Sequence, residues 1–176
     1  MDEILDNAII ARDKLISDMK TIIISSISKG NNPNASYAPS VIDSNKNFYI
    51  YISSLSKHTK NLVNNPKASI MIIEDESSSE NIFGRKRLTM DVVAHKIKRE
   101  SEEWANTISI METKFGETLT FLKNMTDFQM FKLVPQKGLL VHGFARAFRF
   151  DGEGLSNISY LNEKGHTQKN KFQLFD

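Results

Sequence analysis

Apolar residues recur along this chain in two rhythms. Residues 3–19 place Ile4, Leu5, Ala8, Ile9, Ala11, Leu15, Ile16 and Met19 at three- and four-residue steps. That spacing predicts a helix with one apolar face, lying across something larger. The rhythm then changes. TIIISSIS (21–28) reads as a buried strand, KGNNPN (29–34) as a turn, and ASYAPSVI (35–42) as a strand whose Pro39 points to an edge or a bulge. A second turn, DSNKN (43–47), leads to a third apolar run, Phe48–Ile52. Short turns between successive strands predict an antiparallel meander.

The stretch from Asn47 to Asp75 sits at the centre of the pattern. Two apolar runs, Phe48–Ile52 and Ala68–Ile73, flank a polar link that opens with Ser53, Ser54 and Ser56 and then places Lys57, His58 and Lys60 together. Lys57–Asn65 is long enough for about two helical turns, and Pro66 ends it. A cationic, hydroxyl-rich helix start suits a phosphate or carboxylate. The same residues also suit a solvated connector, since a charge run is usually a solvated face.

Beyond Ile73 the chain becomes acidic and serine-rich, which reads as a loop to Gly84. RKRLTMDVVAHKIKRE (85–100) alternates as a long strand. Ser101 can cap a helix carrying Trp104, Ile108, Met111 and Phe115. Gly116 breaks it, and a second helical piece follows. Two alternating segments, 127–138 and 138–150, predict two further strands, with Gly143 at a bend. From Asp151 the pattern dissolves into a tail. About seven strands, a leading helix and one helical connection predict a mainly β fold, a closed or nearly closed barrel with flanking helices. The expected organisation is a single domain, residues 1–176: a helix over 1–19, a barrel over 20–150 with a helical insertion near 101–125, and a tail over 151–176.

Composition narrows the chemistry. The chain has 176 residues, no cysteine, and 23 basic against 21 acidic residues. Disulfides, thiolate metal sites and cysteine nucleophiles are excluded. Nothing points to a general nucleic-acid binder. No apolar run reaches bilayer length and the start lacks a signal-peptide pattern, so a soluble, cytoplasmic protein is expected. Of the four histidines, His95 lies among lysines on a strand and reads as a surface group. His142 reads as a satisfied barrel residue. Glu102 and Glu103 are adjacent, so they make a poor acid–base pair.

Five segments carry a resemblance: SYAP (36–39), SKHTKNLVNNPKASIMIIEDE (56–76), FGRKRLT (83–89), DFQMFKLVPQKGLLVHGF (127–144) and LNEKGH (161–166). Together they resemble the haem-utilisation proteins of the HugZ/HutZ type, a haem-degrading branch of the flavin-mononucleotide-binding split barrels related to pyridoxamine phosphate oxidase. The resemblance implies a homodimeric split barrel with two ligand sites at the subunit interface. It implies haem as cofactor, His166 as the iron ligand, and Asp127 of the other subunit hydrogen-bonded to that ligand. Arg87, His58 and Lys57 then fall on basic positions near haem. The implied activity is oxidative opening of haem with release of iron, which needs an electron donor the sequence does not identify. In the flavin branch the same central hydroxyls and cations hold the phosphate of FMN, so an FMN-dependent oxidoreductase is the alternative. A non-catalytic haem carrier using His166 is a third.

Overall fold

The structure is a computed structural model, and it describes residues 2–143 and 146–161. His166 and the apolar tail residues Phe172, Leu174 and Phe175 lie outside the described residues. The leading helix, α1 (Asp2–Asp18), is followed by β1 (Thr21–Ile27), β2 (Pro33–Ile42) and β3 (Phe48–Ser53). Then come α2 (Lys57–Asn64), β4 (Lys67–Ile73), β5 (Arg87–Ile97), α3 (Glu102–Phe115), α4 (Glu117–Leu122), β6 (Phe128–Val141), β7 (Ala147–Asp151) and β8 (Asn157–Tyr160).

All neighbouring strands run antiparallel, in the order β3-β2-β1-β4-β5-β6-β7-β8. A further pairing, β3 with β6, joins Phe48 to Leu133 and Ser53 to Phe128 and closes β1–β6 into a six-stranded barrel. β6 is longer than the barrel wall. Its first half pairs with β3, while Gly138–Val141 pair with β7, so the strand leaves the barrel and carries the β7–β8 ribbon.

Alternation along each strand sends one set of side chains inward. Ile22, Ile24, Phe48, Ile50, Ile70, Leu88, Met90, Phe131 and Leu133 fill the barrel, and Ala8, Leu15, Ile16 and Met19 of α1 close one end of it. Arg12 of α1 is buried. It donates to the Leu155 carbonyl at 2.8 Å and lies 4.7 Å from the Phe150 ring centroid, which ties the helix to the ribbon. A second core lies outside the wall, where α3 and α4 cover Tyr49, Tyr51 and Met130 with Ile108, Met111 and Leu119. α2 packs against β1 and β2 at the barrel end opposite α1.

The described chain has eight strands where about seven were expected. Gly138 does not separate two strands, because β6 runs unbroken to Val141. The irregularity falls instead at Gln136, where the register against β5 shifts between Asp91 and Val92. Gly143, at φ +89°, lies between β6 and β7 as expected of a bend. β8 lies within the stretch where the pattern had dissolved. The loop after Ile73 contains two short 3₁₀ turns at Glu76–Ser78 and Ile82–Gly84, each capped by the side chain before it, Asp75 and Asn81. Pro39 lies just before the β2–β3 pairing begins at Ser40, so its missing N–H leaves no gap in that ladder.

Candidate functional site

The loop from β3 into α2 is built around Ser53. Its Oγ donates to Asp127 Oδ2 at 2.7 Å, and the Ser54 amide donates to the Asp127 carbonyl at 2.8 Å. The Ser53 carbonyl accepts from Thr59 Oγ1 at 2.6 Å and from the Ser56 amide at 3.1 Å. Asp127, immediately before β6, and the first turn of α2 are therefore fastened to the same residue. Ser56 stands at the N-cap of α2 but its side chain makes no capping bond. Lys57 is exposed and His58 is half-buried. The His58 Nε2 is sealed from solvent with no hydrogen-bond partner among the described residues. Burial holds the His58 imidazole below its ordinary pKa and favours the neutral ring.

Nearby, Arg99 donates to the Tyr51 hydroxyl at 3.0 Å, to the Met125 carbonyl at 3.1 Å and to the Lys123 carbonyl. Its guanidinium lies 5.3 Å from the Trp104 ring centroid. Trp104 thus belongs to the scaffold behind Asp127, as its helical spacing implied.

Arg87 is elsewhere. It opens β5, opposite Ile73 of β4 and Val141 of β6, at the barrel end that α1 closes. Asp127 precedes the first residue of β6 and Val141 is its last, so roughly 45 Å of strand separates the two at about 3.3 Å per residue. Within one chain, Lys57, His58 and Asp127 share one end of the barrel and Arg87 marks the other. Arg87 is half-buried and donates to the Arg85 carbonyl at 3.1 Å.

Arg87 also belongs to an outward sheet face that no helix covers among the described residues. In register on that face lie Tyr37, Ile23, Met71, Thr89 and Leu139, and beside Arg87 lie Ile73 and Val141. Tyr37 is 68% exposed, and Ile23 and Leu139 are each 38% exposed. A cavity of about 1280 Å³ lies between α1, the end of β4 and the ribbon. Lys57, His58, Arg87 and Asp127 do not line it, but His142 does. Burial, Lys86 and Arg146 push the His142 pKa down. His142 follows β6 directly, and its amide donates to the Arg146 carbonyl across the turn, so it is not a strand residue. His95 is exposed on β5.

A closed antiparallel six-stranded barrel with a long shared strand and helices on its flanks is a split barrel. The chain belongs to the pyridoxamine 5′-phosphate oxidase family, whose model matches residues 11–142. Within that family it is of the HugZ/HutZ type. It is 40% identical over 149 residues to the protein named heme oxygenase HutZ of Vibrio cholerae, covering 85% of this chain and 84% of that one. The crystal structure of HutZ, described as a heme storage protein from the same species, superposes with a TM-score of 0.68 at 38% identity, over 70% of this chain and 87% of that one. The crystal structure of Campylobacter jejuni ChuZ superposes with a TM-score of 0.83 at 27% identity, over 93% of this chain and 66% of that one.

Proposed function

We propose that this protein binds haem between two copies of itself and opens the macrocycle oxidatively, releasing iron for use by the cell. One observation carries the two-copy part of the reading. Lys57, His58 and Asp127 stand at one end of the barrel and Arg87 at the other, so a single chain cannot set them around one ligand. Two copies packed antiparallel through the exposed face of Ile23, Tyr37 and Leu139 bring one copy's Arg87 towards the other's Asp127. The haem part follows from the likeness to HutZ.

The residues fit a flat, apolar ligand that carries anionic arms. Arg87 stands beside Ile73 and Val141, a cation against apolar surface. Its guanidinium can hold a propionate in a two-point contact while keeping its bond to the Arg85 carbonyl. Lys57, exposed at the start of α2, supplies a second cation. Asp127, oriented by Ser53, can accept the N–H of the other copy's His166, fixing that imidazole as an iron ligand and raising its donor strength. The oxygen chemistry belongs to the haem, and an external donor supplies electrons.

Two other readings have their own support. HutZ has also been described as a storage protein, which favours a carrier without turnover. The Ser53–Lys57 segment, with its hydroxyls and cation at a helix start, favours FMN. One titration separates the three. Haemin is added to purified protein while absorption and oligomeric state are followed, and ascorbate is then added in air. A saturable Soret shift near one haem per subunit that decays with reductant supports the enzyme. A persistent band supports the carrier. No haemin response, with flavin bound instead, supports the oxidoreductase.

A further inference from the structure

The barrel interior is apolar along most of its length but polar at the α2 end. On β1 the inward residues run Ile22, Ile24, Ser26, and on β2 they run Asn34, Ser36, Ala38. Ser26 lies opposite Asn34, and Ile24 opposite Ser36. On β6, Gln129 takes the same inward side as Phe131 and Leu133 and lies opposite Ile52. α2 packs over this end. Its Asn61 donates to Ser26 Oγ at 3.0 Å, with both residues buried. His58 stands three positions before Asn61, so the two share a helix face.

Five buried side-chain polar atoms among the described residues have no hydrogen-bond partner, and four of them belong here: Asn34 Oδ1, Ser36 Oγ, Gln129 Oε1 and His58 Nε2. Leaving one such atom unsatisfied is costly, and a fold that concentrates four at one end is not placing them at random. A polar, enclosed site with several acceptors is where proteins hold internal water.

We propose that the α2 end of the barrel encloses a cluster of ordered waters that bridges Asn34, Ser36, Gln129 and His58 and passes protons to His58. His58 accepts a proton at Nε2 from a bridging water and gives the proton on Nδ1 to a solvent water outside the cluster, from which the ligand draws it. The bridging water regains its proton from the next in the cluster, and the deficit passes out to solvent. No oxidant or reductant takes part. The neutral ring that burial favours is the form able to accept at Nε2. The hydration stands on the barrel alone, whereas the use of the protons rests on the haem reading, because ring opening by oxygen consumes them.

Ser36→Ala and Gln129→Met decide the hydration. If the atoms anchor water, each replacement lowers Tm. If they are simply unpaired, each raises it, which overturns the proposal. A crystal structure resolving solvent should show water about 3 Å from Ser36 Oγ and Asn34 Oδ1, and a dry site overturns it equally. The relay is tested on haem-loaded Ser36→Ala protein. Ring opening with ascorbate should slow several-fold while half-saturation by haemin is unchanged, and an unchanged rate removes the relay. If the wild-type protein takes up no haem, the haem reading and the relay fall together, and the Tm results still decide the hydration.

Discussion

Asp127 is held through Ser53 at both its side chain and, via the adjacent Ser54 amide, its backbone. A carboxylate fastened at one oxygen keeps its orientation and can hold an imidazole in place for a metal. Asp127→Asn should keep haem binding but slow degradation by roughly 10–100-fold, the range for such supporting groups. Ser53→Ala should give a milder loss of the same kind. Haemin titration followed by single-turnover decay with ascorbate measures both, and wild-type decay in Asp127→Asn would remove it from the mechanism.

The proposed meeting of one copy's His166 with the other's Asp127 makes a prediction about mixtures. Neither His166→Ala nor Asp127→Asn should sustain normal turnover alone. Co-expressed as a mixed dimer, they should regain activity, because one of the two sites then contains neither substitution. Recovery is read in purified mixed dimers carrying two tags. No recovery would place His166 and Asp127 in the same copy. His166→Ala alone should weaken ferric haem coordination sharply and leave the dimer intact, seen as a lost Soret shift with unchanged light scattering.

Arg99 holds three oxygens from two segments and stacks on Trp104. Removing it leaves two carbonyls at the end of α4 and the Tyr51 hydroxyl without their donor. Arg99→Ala should cost about 2–4 kcal/mol in urea denaturation. Arg99→Lys should recover little of it, since an ammonium lacks the planar fork. A loss below half a kilocalorie per mole would show that water replaces the guanidinium freely.

His58 sets a pH dependence of stability. Its pKa in the folded chain lies below the ordinary value of 6.5 because burial disfavours the charged ring. The unfolded chain therefore binds the proton first as pH falls. Stability should be constant above about pH 7 and decline below pH 6.5, levelling once the folded-state pKa is passed. His58→Gln should flatten this part of the profile in denaturant titrations between pH 7 and 5. An unaltered slope would assign the decline to another group, with His142 next in line.

Much of the barrel was legible from alternation, because one face of each strand meets the core: TIIISSIS, FYIYIS and KASIMII declare themselves by apolar content. Two strands are misread from pattern, each for its own reason. Gly138 reads as the boundary of two strands, yet β6 bulges at Gln136 and continues through it to Val141. β8 is four residues, NISY, too short and polar to stand out, and is held by pairing with β7. The cationic helix start at Lys57 was visible from composition alone. The bond from Ser53 to Asp127 was not, because 74 residues separate them and only barrel closure brings them together. The placement of Arg87 at the opposite end is likewise a matter of register, which local patterning does not carry.

The β3–β6 pairing has a kinetic consequence. Tyr49 meets Lys132 about eighty residues later in the chain, and the wall is incomplete until they do. The meander β1–β3 can form early from neighbouring turns, but its β3 edge stays unpaired until α3, α4 and β6 have been made. During synthesis that edge, carrying Phe48–Ile52, emerges from the ribosome well before its partner. A barrel closed by so distant a pair folds on the slow side for its size, on the scale of milliseconds to seconds. The interval exposes an apolar strand edge to other chains.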